Sequence, residues 1–380
     1  MSPNSSESLG RETVLRILRG TKWGAIAVAG ALALAACSSS GGGSGSTTTP
    51  AGGGTTGATS PGSNFSNVKV GMAYDVGGRG DKSFNDLAAA GLDKAKQQFG
   101  VQTKELAATN GETEAAKETR LKLLAQQGYN PIVAVGFAYS EAVGKIVPQF
   151  PNTHFAIIDD DVNCGDGGTA QPNLECLMFH EEQSSYLVGI AAALASKVHH
   201  IGFIGGVNEP LIQKFQAGYQ AGAKSIDPSI KIDVKYLSQP PDFSGFGDPA
   251  KGKTAALGLY AGGADVVYHA AGGSGAGLFD AAKQTNNLAI GVDSDQYLTA
   301  PADEKDLILT SALKGVDTAT FNFISQDLKG QFKAGSTRFG LAEGGVGYST
   351  SNPKIDPFKD KIEAAKADII SGKITVPTTP

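Results

Sequence analysis

Cysteine, tryptophan and histidine are scarce in this sequence of 380 residues, which contains three Cys, one Trp and five His. Three cysteines are too few for a disulfide-dense scaffold or a four-cysteine zinc site. The histidines show no spacing typical of metal ligands (His154, His180, His199, His200 and His269). A nucleophile elbow, a metal-binding helix motif and a His-centred triad are also missing. The sequence therefore predicts a non-enzymatic protein that uses neither a metal nor another cofactor.

An excess of positive charge is missing as well. Lys and Arg number 32 against 37 Asp and Glu, which gives a formal net charge of −5. Because a nucleic-acid-binding protein would show a basic patch or stripe, this class of partner is excluded. Glycine is abundant, at 51 residues, but Gly77, Gly78 and Gly80 do not follow the dinucleotide-binding spacing, and no phosphate-loop motif is present.

The hydrophobic run near the N-terminus is short. An uncharged, mostly apolar stretch of 14 residues extends from Trp23 to Ala36, whereas a membrane-spanning helix needs about 20 residues. A basic region precedes this stretch, and the segment Leu34-Ala35-Ala36-Cys37 at its end is similar to a bacterial lipobox. We therefore predict that residues 1–36 are a lipoprotein signal peptide and that Cys37 is lipidated. A plain signal peptide and an uncleaved anchor helix are the alternatives.

Residues 38–66 have low sequence complexity. Of these 29 residues, 25 are Ser, Gly, Thr or Pro, and none is charged. Such a stretch cannot bury apolar surface and is predicted to be disordered. Residues 37–67 are therefore expected to tether a folded body to a membrane surface.

From Val68 onward, short β-rich runs alternate with helical patterns. The candidate strands are Val68–Tyr74, Gln102–Ala107, Pro131–Phe137, Thr153–Asp159, Glu175–Phe179, His200–Gly205, Lys231–Leu237, Asp265–His269, Leu288–Asp293 and Leu307–Ser311. The candidate helices begin at Ser83 or cover Glu112–Gln127, Glu182–Ser196, Glu209–Ala223, Pro249–Gly262, Gly275–Lys283, Val316–Phe332 and Pro357–Ser371. Strict alternation predicts a doubly wound α/β fold, and 313 residues exceed one core, so two lobes are expected.

Ligands of doubly wound sheets bind at the carboxyl ends of the strands, so the loops that follow the strands are the candidate site. The first loop, from Asp75 to Asn85, delivers Phe84 and Asn85 to a helix start. An aromatic face stacks on a flat ring and an amide both donates and accepts hydrogen bonds, which suits a nucleobase or a sugar ring. The alternative is a flexible turn in which Ser83 caps the helix, with Asp86 as a variant capping-box partner.

Carboxylates and glycines dominate two further loops. In the run from Asp159 to Asp161 we expect one carboxylate, Asp159, to accept ligand hydrogen bonds. A Ca²⁺ or Mg²⁺ site and a strand-end turn are the alternatives, and Asp293-Ser294-Asp295 repeats the pattern. The glycine-rich segment Gly272–Gly277 has no adjacent Lys or Arg, which favours a backbone cradle for neutral hydroxyls over a phosphate site.

Two cysteines remain once Cys37 is assigned to lipidation. Outside the cytoplasm such an even pair usually forms a disulfide, so Cys164 and Cys176 are predicted to be bonded. Two free thiols are the alternative.

Eight segments, in this order, resemble the basic membrane protein family, the nucleoside-binding lipoproteins of ABC importers. They are Asp75–Asn85, Phe155–Asp159, Glu181–Gly189, Val198–Gly206, Lys214–Tyr219, Asp248–Lys253, Gly263–Gly273 and Gly291–Gln296. The resemblance implies a type I periplasmic-binding-protein fold, with two lobes joined by a three-crossover hinge. It also implies a purine nucleoside ligand, a permease and an ATPase as partners, and a monomer anchored at the extracytoplasmic face of the cell membrane.

The resemblance also implies roles for particular residues. Phe84 would stack on the base, Asn85 would hydrogen-bond it, and Asp159 would contact its edge. The backbone of Gly273 would approach the ligand. Asp293 and Lys314 would bind the ribose hydroxyls, with a structural salt bridge between them as the alternative. Phe246 and Tyr268 are the two candidates for a second stacking aromatic.

The expected lobes are residues 68–179 with 295–380, and residues 180–294. A departure from the family pattern, the insert Asn163–Glu175, lies just before the first expected crossover. The alternatives to nucleoside transport are the binding of a sugar or another small polar solute, and a ligand sensor that signals to a membrane partner.

Overall fold

The computed structural model describes residues 64–165 and 170–380. The predicted signal peptide, Cys37 and the linker as far as residue 63 lie outside the described residues. The folded body begins earlier than residue 68, however, because the Phe65 ring packs edge-on against Phe99 with the centroids 6.1 Å apart. The backbone N–H of Phe65 also donates to the Phe99 carbonyl (2.9 Å). The predicted linker boundary at residue 67 was therefore wrong by a few residues.

Twelve strands are present in the described part of the chain. They are β1 (Lys69–Val76), β2 (Gln102–Ala108), β3 (Ile132–Val135), β4 (Phe155–Ile158), β5 (Leu174–Phe179), β6 (His200–Val207), β7 (Lys231–Ser238), β8 (Val266–Ala270), β9 (Leu288–Asp293), β10 (Ile308–Lys314), β11 (Gly335–Phe339) and β12 (Val346–Tyr348). The ten predicted strands correspond to β1–β10.

The same residues form ten α-helices. They are α1 (Phe84–Phe99), α2 (Glu114–Gln126), α3 (Ser140–Ile146), α4 (Glu181–Ala195), α5 (Pro210–Ile226), α6 (Pro249–Ala261), α7 (Gly275–Thr285), α8 (Gln296–Thr299), α9 (Val316–Leu328) and α10 (Lys359–Ile370). The short helices α3 and α8 were not predicted. No helix among the described residues is long and apolar enough to cross a membrane.

The strands form two six-stranded sheets, one for each lobe. Their orders are β11-β5-β4-β3-β1-β2 and β12-β10-β9-β8-β6-β7. All pairings are parallel except that of β10 with β12. The central strands β3 and β4 are fully buried apolar runs, as expected for strands covered by helices on both faces. The expected doubly wound α/β fold with two lobes is confirmed.

The chain passes between the lobes three times. It crosses from β5 to α4, which packs on α5, then from β10 to α9, which packs on α1, and finally from β11 to β12. The expected boundary, with residues 295–380 in the first lobe, was wrong. Strands β10 and β12 pair with the second sheet, and α10 packs on α4. Of this segment, only α9 and β11 belong to the first lobe.

Candidate functional site

A cavity of about 60 Å³ lies between the carboxyl ends of the two sheets. The first lobe and the crossovers contribute Asp75, Val76, Asp81, Phe84, Asn85, Gly136, Phe137, Asp159 and Lys314. The second lobe contributes Leu211, Ile212, Phe215, Phe246, Ala270, Gly272, Val292 and Asp293.

Two carboxylates occupy equivalent places in the two lobes. Asp159 follows β4 and Asp293 ends β9, and each of these strands is the third from the β11 or β12 edge of its sheet. Both residues have left-handed backbone angles, with φ values of 68° and 62°. This conformation is uncommon for residues other than glycine. At strand ends beside a cavity, such strain indicates positions that are held for function.

Lys314 is the ammonium at the centre of the cavity wall. Its Nζ donates to Asp159 Oδ2 at 2.5 Å, and both side chains are almost fully buried. The expected partner of Lys314 was Asp293. The hydrogen bond goes to Asp159 instead, because the ammonium at the end of β10 contacts the opposite lobe. Asp159 Oδ1 is buried and receives no hydrogen bond from the residues that the structure describes. Asp159 Oδ1 is thus available to accept a hydrogen bond from a ligand.

Burial and charge determine the protonation of these groups. Burial raises the pKa of Asp293 to about 6, against the opposing effects of the Lys314 charge and a hydrogen bond from Ser83. Burial lowers the pKa of Lys314, but the charges of Asp159, Glu181 and Asp293 outweigh it and leave that pKa above its usual value. The ammonium therefore stays charged, while Asp293 can gain or lose a proton near neutral pH.

Aromatic rings line the cavity from both lobes. Phe84 lies at the start of α1, with its ring centroid 5.3 Å from Lys314 Nζ. Phe246 comes from the loop after β7 and packs against Phe137 of the first lobe, with centroids 6.1 Å apart. Gly206 is required behind this ring, because a Cβ at that position would lie 2.4 Å from Phe246 Cδ1.

Tyr268, the other aromatic candidate, does not line the cavity. It lies in the middle of β8, so its fully buried ring packs between Phe203 and Tyr219. Its hydroxyl is 3.1 Å from Ser185 Oγ. The interpretation of Tyr268 as a second stacking aromatic was therefore wrong, since its contacts belong to the core.

Asn85 lines the cavity, but its amide is used within the protein. Asn85 Nδ2 donates to the Val76 carbonyl (3.3 Å) and to Asp81 Oδ2 (3.1 Å), and Asn85 Oδ1 accepts from the Asp75 N–H (3.2 Å). These bonds make Asn85 a support for the loop between β1 and α1. Gly273 is not among the residues that line the cavity, whereas its neighbour Gly272 is.

Asp75, Phe137 and Phe215 are among the lining residues that were not assigned a role from the sequence. Asp75 is the next-to-last residue of β1 and Phe137 follows β3, so the strand-end rule places both at the site. Burial raises the pKa of Asp75 to about 6. Phe215 is a residue of α5 that packs near Lys314 (5.4 Å), and nothing in its helical periodicity separates it from core residues.

The disulfide predicted between Cys164 and Cys176 is present, with the Cα atoms 6.2 Å apart. It joins the loop after Asp159 to β5, beside the first crossover. No group of three or more His, Cys, Asp or Glu side chains in the described residues could hold a metal ion. The site instead offers aromatic faces, carboxylate acceptors and one ammonium, which suits an uncharged ligand with a flat ring and hydroxyl groups.

The two α/β lobes, the three crossovers and the cavity between them define a solute-binding protein of the type I periplasmic-binding-protein fold. A crystal structure of an ABC transporter solute-binding protein from Aeropyrum pernix has the same fold. Its TM-score is 0.72 at 28% identity, and the match covers 82% of this chain and 93% of that one.

The family follows from comparison of sequences. The model described as ABC transporter substrate-binding protein PnrA-like (Bmp) matches residues 68–380. The ABC transporter nucleoside-binding protein BmpA of Lactococcus lactis is 34% identical, over 82% of this chain and 90% of that protein. Basic membrane protein A1 of Borrelia garinii is 34% identical, over 81% and 88%. The chain belongs to the Bmp family of ABC transporter substrate-binding proteins.

Proposed function

We propose that this protein captures a purine ribonucleoside between its lobes and delivers it to the permease and ATPase of an ABC importer. The observation that supports this proposal is the combination of aromatic rings from both lobes with buried carboxylates in one cavity. The name of the Lactococcus lactis relative, a nucleoside-binding protein, agrees with it.

The aromatic rings account for the base. Phe84 of the first lobe and Phe246 of the second lobe both line the cavity, so a flat base could contact a ring on each side. Base–aromatic stacking contributes about 1–3 kcal/mol per base in nucleic-acid sites. We assign Asp159 and Asp75 to donors on the edge of the base, since each has an oxygen without a strong internal donor.

The charged side chains account for the ribose and for the absence of a phosphate. Asp293 accepts hydrogen bonds from the ribose 2′ and 3′ hydroxyls in this proposal, and Lys314 donates to a ribose oxygen. One ammonium faces several carboxylates, so the phosphate of a nucleotide would be repelled. A nucleoside is uncharged and meets this requirement.

We also propose that the protein is a monomer anchored by a lipid on Cys37 at the extracytoplasmic face of the cell membrane. The lipobox-like segment before Cys37 supports the anchor, and archaeal relatives are named lipoproteins. Metabolic labelling with a lipid precursor should mark the wild type and not Cys37→Ala. Equal labelling of both would overturn the assignment.

Calorimetry on the purified protein tests the ligand class. Adenosine, guanosine and inosine should bind, whereas D-ribose, free bases and nucleoside monophosphates should bind at least about tenfold more weakly, a difference of about 1.4 kcal/mol. Mass spectrometry of the small molecules released by denaturing freshly purified protein would identify a bound nucleoside directly. Binding of a free sugar without binding of any nucleoside would replace this proposal with sugar transport.

A further inference from the structure

Ser83 occupies the position before α1 but does not act as its N-terminal cap. Its side chain makes no cap hydrogen bond. Asp81 takes that role, because its carboxylate accepts the backbone N–H groups of Ser83, Asn85 and Asp86 at 2.9–3.1 Å. The Ser83 hydroxyl is therefore free to form a contact elsewhere, although the residue is fully buried.

That contact crosses from one lobe to the other. Ser83 Oγ donates to Asp293 Oδ2 at 2.6 Å, which is the short distance typical of a hydrogen bond to a carboxylate. The second oxygen, Asp293 Oδ1, receives no hydrogen bond from the part of the chain that the structure describes. Asp293 lines the cavity. The serine thus holds one carboxylate oxygen and leaves the other for a ligand.

The neighbouring residue strengthens the same connection. The Lys82 carbonyl accepts from Ser294 Oγ (2.7 Å) and Gln296 Nε2 (3.3 Å), and Lys82 Nζ donates to the Thr299 carbonyl (3.1 Å). The interlobe partners of Lys82 and Ser83 lie between the end of β9 and the end of α8 in the second lobe.

We propose that Ser83 is a positioning residue for ribose recognition, which orients Asp293 and favours its charged form. This inference rests on the proposed nucleoside function. The hydroxyl of Ser83 stabilises the charged form of Asp293 together with Lys314, whereas Asp159 and Asp81 are the carboxylates that oppose it.

The test compares ribo- and 2′-deoxyribonucleosides by calorimetry on Ser83→Ala and the wild type. Loss of a hydrogen bond to a charged group should weaken guanosine binding by about tenfold or more, and 2′-deoxyguanosine binding by much less. The matched control is Ser294→Ala, which removes an interlobe hydroxyl that does not contact Asp293. It should weaken both ligands equally. In an Asp293→Asn background, Ser83→Ala should have little further effect.

A second readout needs no ligand. The pKa of the Asp293 carboxyl, followed by ¹³C NMR in the ligand-free protein, should rise in Ser83→Ala, because the donor that favours its charged form is lost. An unchanged pKa and an unchanged ratio of ribo- to deoxyribonucleoside affinity would overturn the role of Ser83. A wild type that binds no nucleoside would instead contradict the proposed function, and the NMR result would still decide whether Ser83 controls Asp293.

Discussion

Phe84 lines the cavity between the lobes, and the Lys314 ammonium lies 5.3 Å from its ring centroid. A cation near an aromatic face is an attractive contact, so the ring has a preferred place even without a ligand. The side chain is partly buried and packs on the core at the start of α1. Its orientation is therefore fixed before a base arrives, which limits the entropy lost on binding.

We predict that Phe84→Ala weakens purine nucleoside binding by about 5- to 150-fold, the equivalent of the 1–3 kcal/mol assigned to base stacking. Calorimetry measures the change. Phe321→Ala is the control, since this ring stacks on Phe99 outside the cavity (5.8 Å between centroids) and should affect stability without affecting affinity. Equal affinities for Phe84→Ala and the wild type would exclude the stacking role.

At the level of the residue, the sequence predicts which side chains reach the cavity from the strand ends, but it does not predict their hydrogen-bond partners. Asp159, Asp293 and Phe84 reach the cavity because parallel strands end at one edge of a sheet, a rule that needs no tertiary information. The partner of Lys314 depends on which lobe faces the end of β10, and the sequence has no signal for that. The cap of α1 shows the same limit: Ser83 was the alternative considered from the sequence, but Asp81 accepts the helix N–H groups, and both are good capping residues.

At the level of the element, the backbones of helices α4 and α5 lie in close contact in the second lobe. A Cβ at Gly218 would lie 2.1 Å from the Glu182 carbonyl oxygen, and one at Gly222 would lie 2.0 Å from the Tyr186 carbonyl oxygen. Backbone atoms cannot move aside as a flexible side chain can. Because α4 begins at the first crossover, this contact also positions the first crossover segment relative to the second lobe.

We predict that Gly222→Ala lowers the free energy of unfolding by about 1–3 kcal/mol or more through overpacking. The matched control is Gly258→Ala in α6, where a Cβ would meet nothing within 4 Å. That substitution should raise stability by about 0.5–1 kcal/mol, because alanine is the better helix former. Urea unfolding of both variants provides the comparison. Equal stabilities of the two variants would contradict the assigned α4–α5 contact.

The two strands that were not predicted, β11 and β12, were missed for the same reason. The strand β11 is a partly exposed pentapeptide, Gly335–Phe339, and β12 is only three residues long, so neither shows a buried apolar run. Pairing with β5 and β10 makes them strands, which is a tertiary effect. The lobe boundary expected at residue 295 was wrong for a similar reason: the crossover from β10 to α9 is the single residue Gly315 and has no linker composition.

At the level of the whole molecule, the interior of the closed protein contains several acidic groups that are protonated more easily than usual. Burial raises the pKa of Asp75 and Asp293 to about 6 and that of Glu181 to about 7. Glu181 is fully buried at the first crossover, with Lys214 Nζ 3.6 Å away. The cavity and hinge therefore hold protons near neutral pH that an unfolded chain would release.

We predict that acidification stabilises the ligand-free protein. Between about pH 4 and 7 the folded chain binds more protons at these carboxyls than the unfolded chain, so stability is present at low pH and is lost as pH rises through 6–7. His269 opposes this trend, because burial lowers its pKa to about 4. The carboxyls outnumber it, and the free energy of unfolding should rise on the order of 3 kcal/mol from pH 7.5 to 5.5. Urea unfolding without ligand measures it, and a fall in stability would contradict the assignment.

Nucleoside affinity should change with pH in the opposite direction. Ribose hydroxyls donate to the ionised form of Asp293, so binding lowers its pKa and releases a proton near pH 6. Affinity should therefore fall by about tenfold from pH 7 to pH 5, when most of this carboxyl is protonated. Calorimetry in two buffers with different ionisation enthalpies would detect the proton release.

The control is Asp160→Asn: burial also raises the pKa of Asp160 to about 6, but this residue does not line the cavity. The variant should keep the pH dependence of affinity, whereas Asp293→Asn should lose the part that Asp293 contributes and keep the part from Asp75, whose pKa burial also raises to about 6. An affinity that stays constant across this range in the wild type would show that Asp293 does not bind the ligand as a carboxylate.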